Sequence, residues 1–192
     1  MKRICLWAAV SALFAFSCLV LPGVFSADAS EGGLLLTSVG QSPDATMIRV
    51  VLRKLKIDAE NQPLLKADEI AGGKILVAVV GGSSKGLGAA GIDKDQENER
   101  VGGLFVAAKK SGIKILVMHV GGEGRRGALS DAFIETSVPY ADALIVVDGG
   151  NEDGLFDRLI EGRGVNLLTA PNVSGTAEPL KAVLSGWGVS LR

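Results

Sequence analysis

The chain has 192 residues, of which 47% are hydrophobic, 5% are aromatic and 26 are glycine, and its formal net charge is −1. This length suits one domain with a substantial buried core. A nearly neutral chain provides no long-range field to attract polyanions, so the composition argues against nucleic acid as a partner.

The first residues have the pattern of a secretory signal peptide. Lys2 and Arg3 form a basic start, the apolar run 4–20 follows, and Ala27-Asp28-Ala29 offers a cleavage site with small residues. We therefore expect residues 1–29 to be removed and the protein to be periplasmic or secreted. The alternative is an uncleaved membrane anchor, because the apolar run is close to the length that spans a bilayer.

After cleavage, residues 30–192 remain as a single predicted domain that is not an integral membrane protein. Both cysteines, Cys5 and Cys18, belong to the leader. The mature domain is therefore expected to have no disulfide, no catalytic thiol and no cysteine ligand for a metal.

Beyond the leader, short apolar runs alternate with amphipathic segments, and glycine-rich loops follow most of the runs. Apolar runs rich in β-branched residues predict strands that are buried on both faces, while a 3.6-residue spacing of apolar positions predicts helices. The predicted strands are 34–39, 75–80, 113–120, 143–147 and 165–169, and the predicted helices are 43–56, 93–111, 130–137, 155–161 and 177–185.

This alternation predicts an α/β protein with a three-layer, doubly wound parallel sheet of about five strands, flavodoxin-like or Rossmann-like. Right-handed crossovers lead us to expect the strand order 2-1-3-4-5. Two helix starts are predicted from their capping residues. Ser42 is expected as an N-cap with Pro43 at the first helical position, and Ser130 is expected as the N-cap of a later helix.

A binding site is expected beyond the carboxyl ends of the strands, where open parallel sheets bind their ligands. The loops 40–43, 81–91, 121–127 and 148–151 reach that edge and are rich in glycine and polar residues. The predicted ligand-binding residues are Gln41, Ser42, Gly81, Gly82, Ser83, Ser84, Lys85, His119, Glu123, Arg125, Arg126, Asp148 and Asn151.

The loop after the second predicted strand resembles the cofactor loop of short-chain dehydrogenases, T-G-x-x-x-G-x-G, over residues 81–88. Backbone amides in such loops hold phosphate groups. The Y-x-x-x-K pair of those enzymes is absent, however, because Leu144 stands four residues after Tyr140, and the next helix has an acidic start at Asp93. The loop is not a Walker A loop either, since Lys85 precedes its glycine. We therefore expect no NAD, nucleotide or other cofactor.

A hydrolase or transferase is one alternative function. His119, the only histidine, ends the third predicted strand and is the candidate general base, with Ser42, Ser83 or Ser84 as the nucleophile. No G-x-S-x-G elbow is present, so no catalytic residue is assigned and a non-enzymatic function is favoured. A metal is not expected, because the histidine lacks partners and the turn at Asp148 does not match an EF-hand.

Several loop strings resemble an uncharacterised family of exported bacterial proteins that is catalogued as a domain of unknown function. They are SVGQSPDA (38–45), GGSSKGLGAAGID (81–93), HVGGEGRRGALSD (119–131) and DGGNEDGLF (148–156), and the resemblance extends over about 34–184. It implies an exported domain with a Rossmann-like fold. It supplies no activity and no catalytic residues.

The function expected from the sequence is the binding of a small anionic molecule by an exported, non-enzymatic domain. Lys85, Arg125 and Arg126 are expected to supply positive charge, while Ser83, Ser84 and the amides of the first two loop glycines donate hydrogen bonds. A third possibility is an accessory or structural subunit of an envelope or transporter complex.

Overall fold

The computed structural model describes residues 33–189, in which five parallel strands form one sheet with helices on both faces. The strands are β1 (Leu34–Val39), β2 (Ile75–Val80), β3 (Lys114–His119), β4 (Ala143–Val147) and β5 (Asn166–Ala170). The helices are α1 (Asp44–Lys54), α2 (Ser84–Ala90), α3 (Lys94–Lys110), α4 (Ala128–Ser137), α5 (Leu155–Ile160) and α6 (Ala177–Gly186). The predicted parallel α/β fold is confirmed.

The predicted leader and its predicted cleavage site lie outside the described residues. Within residues 33–189, no helix is long and apolar enough to cross a membrane.

Each face of the sheet builds its own hydrophobic core, because successive side chains of a strand point to opposite faces. In β2 all six residues are buried. Leu76, Ala78 and Val80 pack with α3, α4 and α5, whereas Val77 and Val79 pack with α1 and α6. Covering both faces in this way explains why the strand is apolar throughout rather than alternating.

The strand order is 1-2-3-4-5, so the expected order 2-1-3-4-5 is wrong. The reason lies in the polar connection after α1. Asn61 forms a single parallel bridge with Leu36 of β1, and Gln62 N donates to Leu36 O at 2.9 Å. Since β2 pairs with the other side of β1, this bridge occupies the outer edge. The expected order would give β1 a complete neighbouring strand on each side. In the structure only Asn61 pairs with its outer side.

The same bridge explains how the chain changes faces between β1 and β2. Helix α1 packs on one face of the sheet and α3 on the other. If the chain crossed directly from β1 to β2 and then from β2 to β3, both right-handed crossovers would run in the same direction. They would then place α1 and α3 on the same face of the sheet. The chain instead passes outside β1 at Asn61, after which Leu65 and Ile70 pack in the core that contains α3. It then enters β2 from that second face.

Three local predictions need correction. Ser84–Ala90, expected as loop, forms α2, which Ser83 caps by accepting a hydrogen bond from Gly86 N at 3.0 Å. Helix α1 begins at Asp44, so Pro43 rather than Ser42 stands at its N-cap, and no side chain caps the helix. Helix α4 begins at Ala128, so Ser130 lies inside its first turn rather than at its N-cap. Its hydroxyl is buried and has a different partner, described below.

Candidate functional site

A ligand-binding crevice is expected between two neighbouring strands whose following helices pack on opposite faces of the sheet. One such point lies between β1 and β2, because α1 and α2–α3 pack on opposite faces, and a second lies between β4 and β5, because α5 and α6 do. The two loops are tied to each other: Ser42 N donates to Gly81 O at 3.2 Å, Ser83 N donates to Gly40 O at 2.8 Å, and Gln41 bridges Gly82. The crevice between β1 and β2 is therefore closed by the protein's own backbone.

The backbone amides of Gly81, Gly82 and Gly86 in the glycine-rich loop already have hydrogen-bond acceptors within the protein. Gly81 N donates to Val39 O at 2.9 Å, and Gly82 N donates to Ser130 Oγ at 2.8 Å. Gly86 N is bonded to the capping hydroxyl of Ser83. The amides of Gly81 and Gly82 were the donors expected to hold an anion, and in the structure they join the loop to β1 and α4.

A buried ion pair, which the sequence analysis did not identify, holds the loop after β1 in place. Arg100 donates to Glu97 twice, from Nε at 2.7 Å and from Nη2 at 2.8 Å, and the two side chains are 9% and 0% exposed. Glu97 Oε1 also accepts from Gly40 N at 2.9 Å and from Gln41 Nε2 at 3.0 Å. The predicted ligand residue Gln41 is thus bound to α3.

His119 is fully buried and lies between two backbone carbonyls. Its Nδ1 is 3.1 Å from Val80 O and its Nε2 is 3.2 Å from Gly122 O. Among residues 33–189, no hydrogen bond joins this imidazole to a serine, and no group of three or more His, Asp or Glu side chains could hold a metal ion. The geometry therefore gives the hydrolase alternative no assembled pair of base and nucleophile.

Arg126 connects the loop after β3 to the loop after β4. It donates to Asp131 Oδ1 at 2.7 Å, to Gly150 O at 2.6 Å and to both carboxylate oxygens of Asp153 at 2.9 and 2.8 Å. Its guanidinium also lies 5.9 Å from the ring centre of Phe156. The arginine was expected to bind an anion, but its donors are committed to acceptors of the protein itself.

The pair formed by Arg126 and Asp153 should make stability depend on pH. The hydrogen bond from Arg126 lowers the pKa of Asp153 from 3.8 to about 2. A carboxylate with a lowered pKa stabilises the fold above its unfolded pKa, and that contribution is lost as the pH falls through its folded pKa. We expect Asp153→Asn to reduce the stability measured by urea unfolding at about pH 6, and the difference from the unaltered protein to vanish between about pH 4 and pH 2. A difference that stays constant over this range would contradict the pairing.

Arg125 differs from its neighbour, because its guanidinium makes no hydrogen bond within the described part of the chain. The charged group that approaches it is Asp44, whose Oδ1 lies 3.9 Å from Arg125 Nε. The arginine side chain, 39% exposed, runs across Gly121, where a Cβ atom would overlap it. Arg125 also lines a shallow groove of about 270 Å³ formed by Gly82 and residues 124–130.

The first turn of α4 opens into this groove. Gly127, at φ 131°, lets the chain turn into the helix, and no side chain caps its N-terminus. The first amides of a helix carry partial positive charge and have no partner within the helix. Gly82 allows the glycine-rich loop to approach this turn, since a Cβ there would lie 2.8 Å from Ser130 N. Arg125 and the helix start therefore face one small volume.

Asp44 is a further residue that sequence reasoning missed, besides Glu97 and Arg100. It is 3% exposed, and its Oδ2 has no hydrogen-bond partner among residues 33–189. Ser42 Oγ accepts a long bond of 3.4 Å from Asp44 N, so the predicted ligand residue Ser42 packs beside this carboxylate. The sequence could have indicated Asp44, because this aspartate directly follows Ser42 and Pro43 in the loop after a buried strand.

The remaining predicted residues do not converge on the groove. Ser84, Lys85 and Glu123 are exposed. Asp148 lines a separate groove of about 220 Å³ together with Asn151, whose side chain accepts from Phe156 N at 2.9 Å and donates to Asp157 at 2.8 Å. The predicted loops do meet at one edge of the sheet, but their polar side chains divide between two grooves and the scaffold.

The chain belongs to the family DUF6305, a domain of unknown function, whose profile matches residues 31–184. No curated protein and no solved structure matches the chain. The family match confirms the resemblance of the loop strings to a domain of unknown function. It makes no statement about activity.

Proposed function

We propose that this DUF6305 domain is exported and binds a small anionic molecule, without transforming it, in the groove beside Arg125. The observation that carries the proposal is the guanidinium of Arg125, which lines a groove at the carboxyl edge of the sheet and has no hydrogen-bond partner among the described residues. The leader pattern in residues 1–29 supports export.

The chemistry of the groove suits an anion. A guanidinium presents planar donors that match a carboxylate or a phosphate. The uncapped start of α4 adds backbone amides and the positive end of the helix dipole to the same volume. At about 270 Å³ the groove matches a small molecule rather than a dinucleotide.

The proposal is non-enzymatic because, among the described residues that line the groove, no general base stands beside a nucleophile. His119 lies beneath the sheet edge with both ring nitrogens near carbonyl oxygens, and Ser83 Oγ accepts the capping bond of α2. Ser130 Oγ accepts from Gly82 N. The hydroxyl groups of Ser83 and Ser130 therefore take part in hydrogen bonds that stabilise the fold.

The test is a titration of the isotopically labelled protein with inorganic phosphate and with propionate, followed by the NMR signals of the backbone amides. We expect the amides of residues 128–130 to shift. Arg125→Gln should weaken both anions about tenfold or more, because it removes the positive charge of the groove. The matched control is Arg53→Gln, since Arg53 is exposed near the end of α1. Equal affinity in Arg125→Gln and the unaltered protein would place the site elsewhere.

A further inference from the structure

We propose that two copies of this chain form a dimer in which their β5 strands pair antiparallel about a two-fold axis. The sheets of the two copies then continue into one sheet, and the interface is the same surface on both, as two-fold symmetry requires. The proposal concerns the outer edge of β5, so it is independent of the groove beside Arg125.

The two edges of the sheet differ in how the chain covers them. At β1, the segment after α1 passes along the outer edge, where Asn61 bridges Leu36. At β5, no segment among residues 33–189 pairs with the outer side. Leu167 and Leu168 are only partly buried there, whereas every residue of β2 is buried. An uncovered strand edge is a template for pairing with another strand.

The outer side of β5 presents the backbone amides and carbonyls of two residues. Ala170 O accepts from Asp148 N at 2.9 Å, so the backbone of Ala170 faces the side of β4. Alternate residues of a strand direct their N–H and C=O groups to opposite sides. Leu168 therefore also faces β4, whereas Leu167 and Thr169 face outward. Among residues 33–189, no hydrogen bond joins these outward groups to another part of the chain.

These groups match a second copy of the same strand. The antiparallel register that pairs all of β5 with its copy is centred on Leu168, and it sets Leu167 of each copy opposite Thr169 of the other. Residues opposed in this way exchange both of their N–H···O=C bonds, so every outward-facing group of β5 has a partner. The two Leu168 side chains lie opposite each other on one face. Pro171, which has no N–H, ends the ladder.

The charge pattern favours the strand's own copy as the occupant of this edge. Residues 164–177 contain no charged side chain, and β5 contains no proline, so the strand lacks the usual features that prevent edge-to-edge association. Arg163, just before this stretch, donates to Val138 O at 2.9 Å and to Pro139 O, in the segment before β4. Antiparallel pairing sets the charged turn before each strand opposite the uncharged turn after the other. Like charges therefore do not meet.

The test is the mass of the unaltered protein in solution, measured by sedimentation equilibrium, and we expect a dimer. Thr169→Pro should weaken dimerisation about tenfold or more, because it removes one outward-facing N–H from each copy. An edge strand tolerates proline where the missing N–H faces outward, so the fold should persist. Thr169→Ala is the matched control, since it shortens the side chain and keeps the N–H. We expect it to dimerise like the unaltered protein.

A disulfide tests the register. The leader cysteines Cys5 and Cys18 are first replaced by serine. Leu168→Cys should then cross-link two copies on mild oxidation, because directly opposed residues without mutual hydrogen bonds have Cα atoms about 4.5 Å apart, within the range of a disulfide. Asn166→Cys is the control, because Asn166 lies opposite Ala170 of the other copy. It should remain a thiol under the same conditions.

Two results would overturn the proposal. A monomer at the concentrations used for the anion titration would exclude a second copy as the occupant of the edge. A dimer that Thr169→Pro leaves intact, and that Leu168→Cys does not cross-link, would show that another surface forms the interface. The mass of the unaltered protein and the cross-link decide the question even if Thr169→Pro does not fold.

Discussion

Replacing Glu97 by glutamine is expected to lower the free energy of unfolding by about 3 kcal/mol or more, as removal of one partner from a buried ion pair does. The substitution keeps the shape of the side chain but leaves the guanidinium of Arg100 without a counter-charge, at 9% exposure. It also weakens the acceptor for Gly40 N and Gln41 Nε2. The loss therefore extends from α3 to the loop after β1.

The measurement is urea unfolding, in which the midpoint should fall while the slope stays the same. Glu99→Gln is the matched control, because Glu99 is exposed on the same helix, and we expect it to change stability by less than about 0.5 kcal/mol. Arg100→Gln should cost about as much as Glu97→Gln, and the double variant should cost less than the sum, since one interaction is lost only once. Equal effects at Glu97 and Glu99 would mean that the buried pair contributes nothing.

The ion pair ties the crevice between β1 and β2 to α3. Arg100 donates to Ser38 O at 2.7 Å and to Leu65 O at 2.8 Å, in addition to its bonds with Glu97. One side chain of α3 thus fixes the end of β1 and the segment that crosses over it.

The sequence was a good guide wherever a single segment determines its own structure. β1, β2 and β4 were predicted to the residue, because each is a short run of mostly apolar residues that is followed directly by a glycine or an aspartate. The strand order was not predicted correctly. It depends on Asn61, one polar residue that bridges Leu36 without any apolar pattern around it.

The candidate site, like the strand order, depends on contacts between residues that are distant in the sequence. Arg125 and Arg126 are adjacent and chemically identical, yet Arg126 donates to two aspartates and a carbonyl, whereas Arg125 has only a loose contact with Asp44. The difference arises from partners distant in the sequence. Glu97 likewise differs from Glu99 only in the face of α3 on which it lies. Spacing on a helix could have indicated Glu97, but not its bond to Gly40 N.

Substituting alanine for glycine should have opposite effects at two positions of α2. Alanine is favoured over glycine in a helix by about 1 kcal/mol, and Gly88 has no atom within 4 Å of its expected Cβ. We therefore expect Gly88→Ala to stabilise the protein. At Gly86 the added Cβ would overlap the backbone oxygen of Gln41, so Gly86→Ala should destabilise it by about 2 to 3 kcal/mol, as overpacking does.

The overlap at Gly86 cannot relax cheaply, because Gln41 is held on both sides. It has a positive φ of 59°, its backbone bridges Gly82, and its side chain donates to Glu97. Thermal unfolding of the two variants beside the unaltered protein is the measurement. If Gly86→Ala also stabilised the protein, α2 would not pack against the loop after β1 in solution.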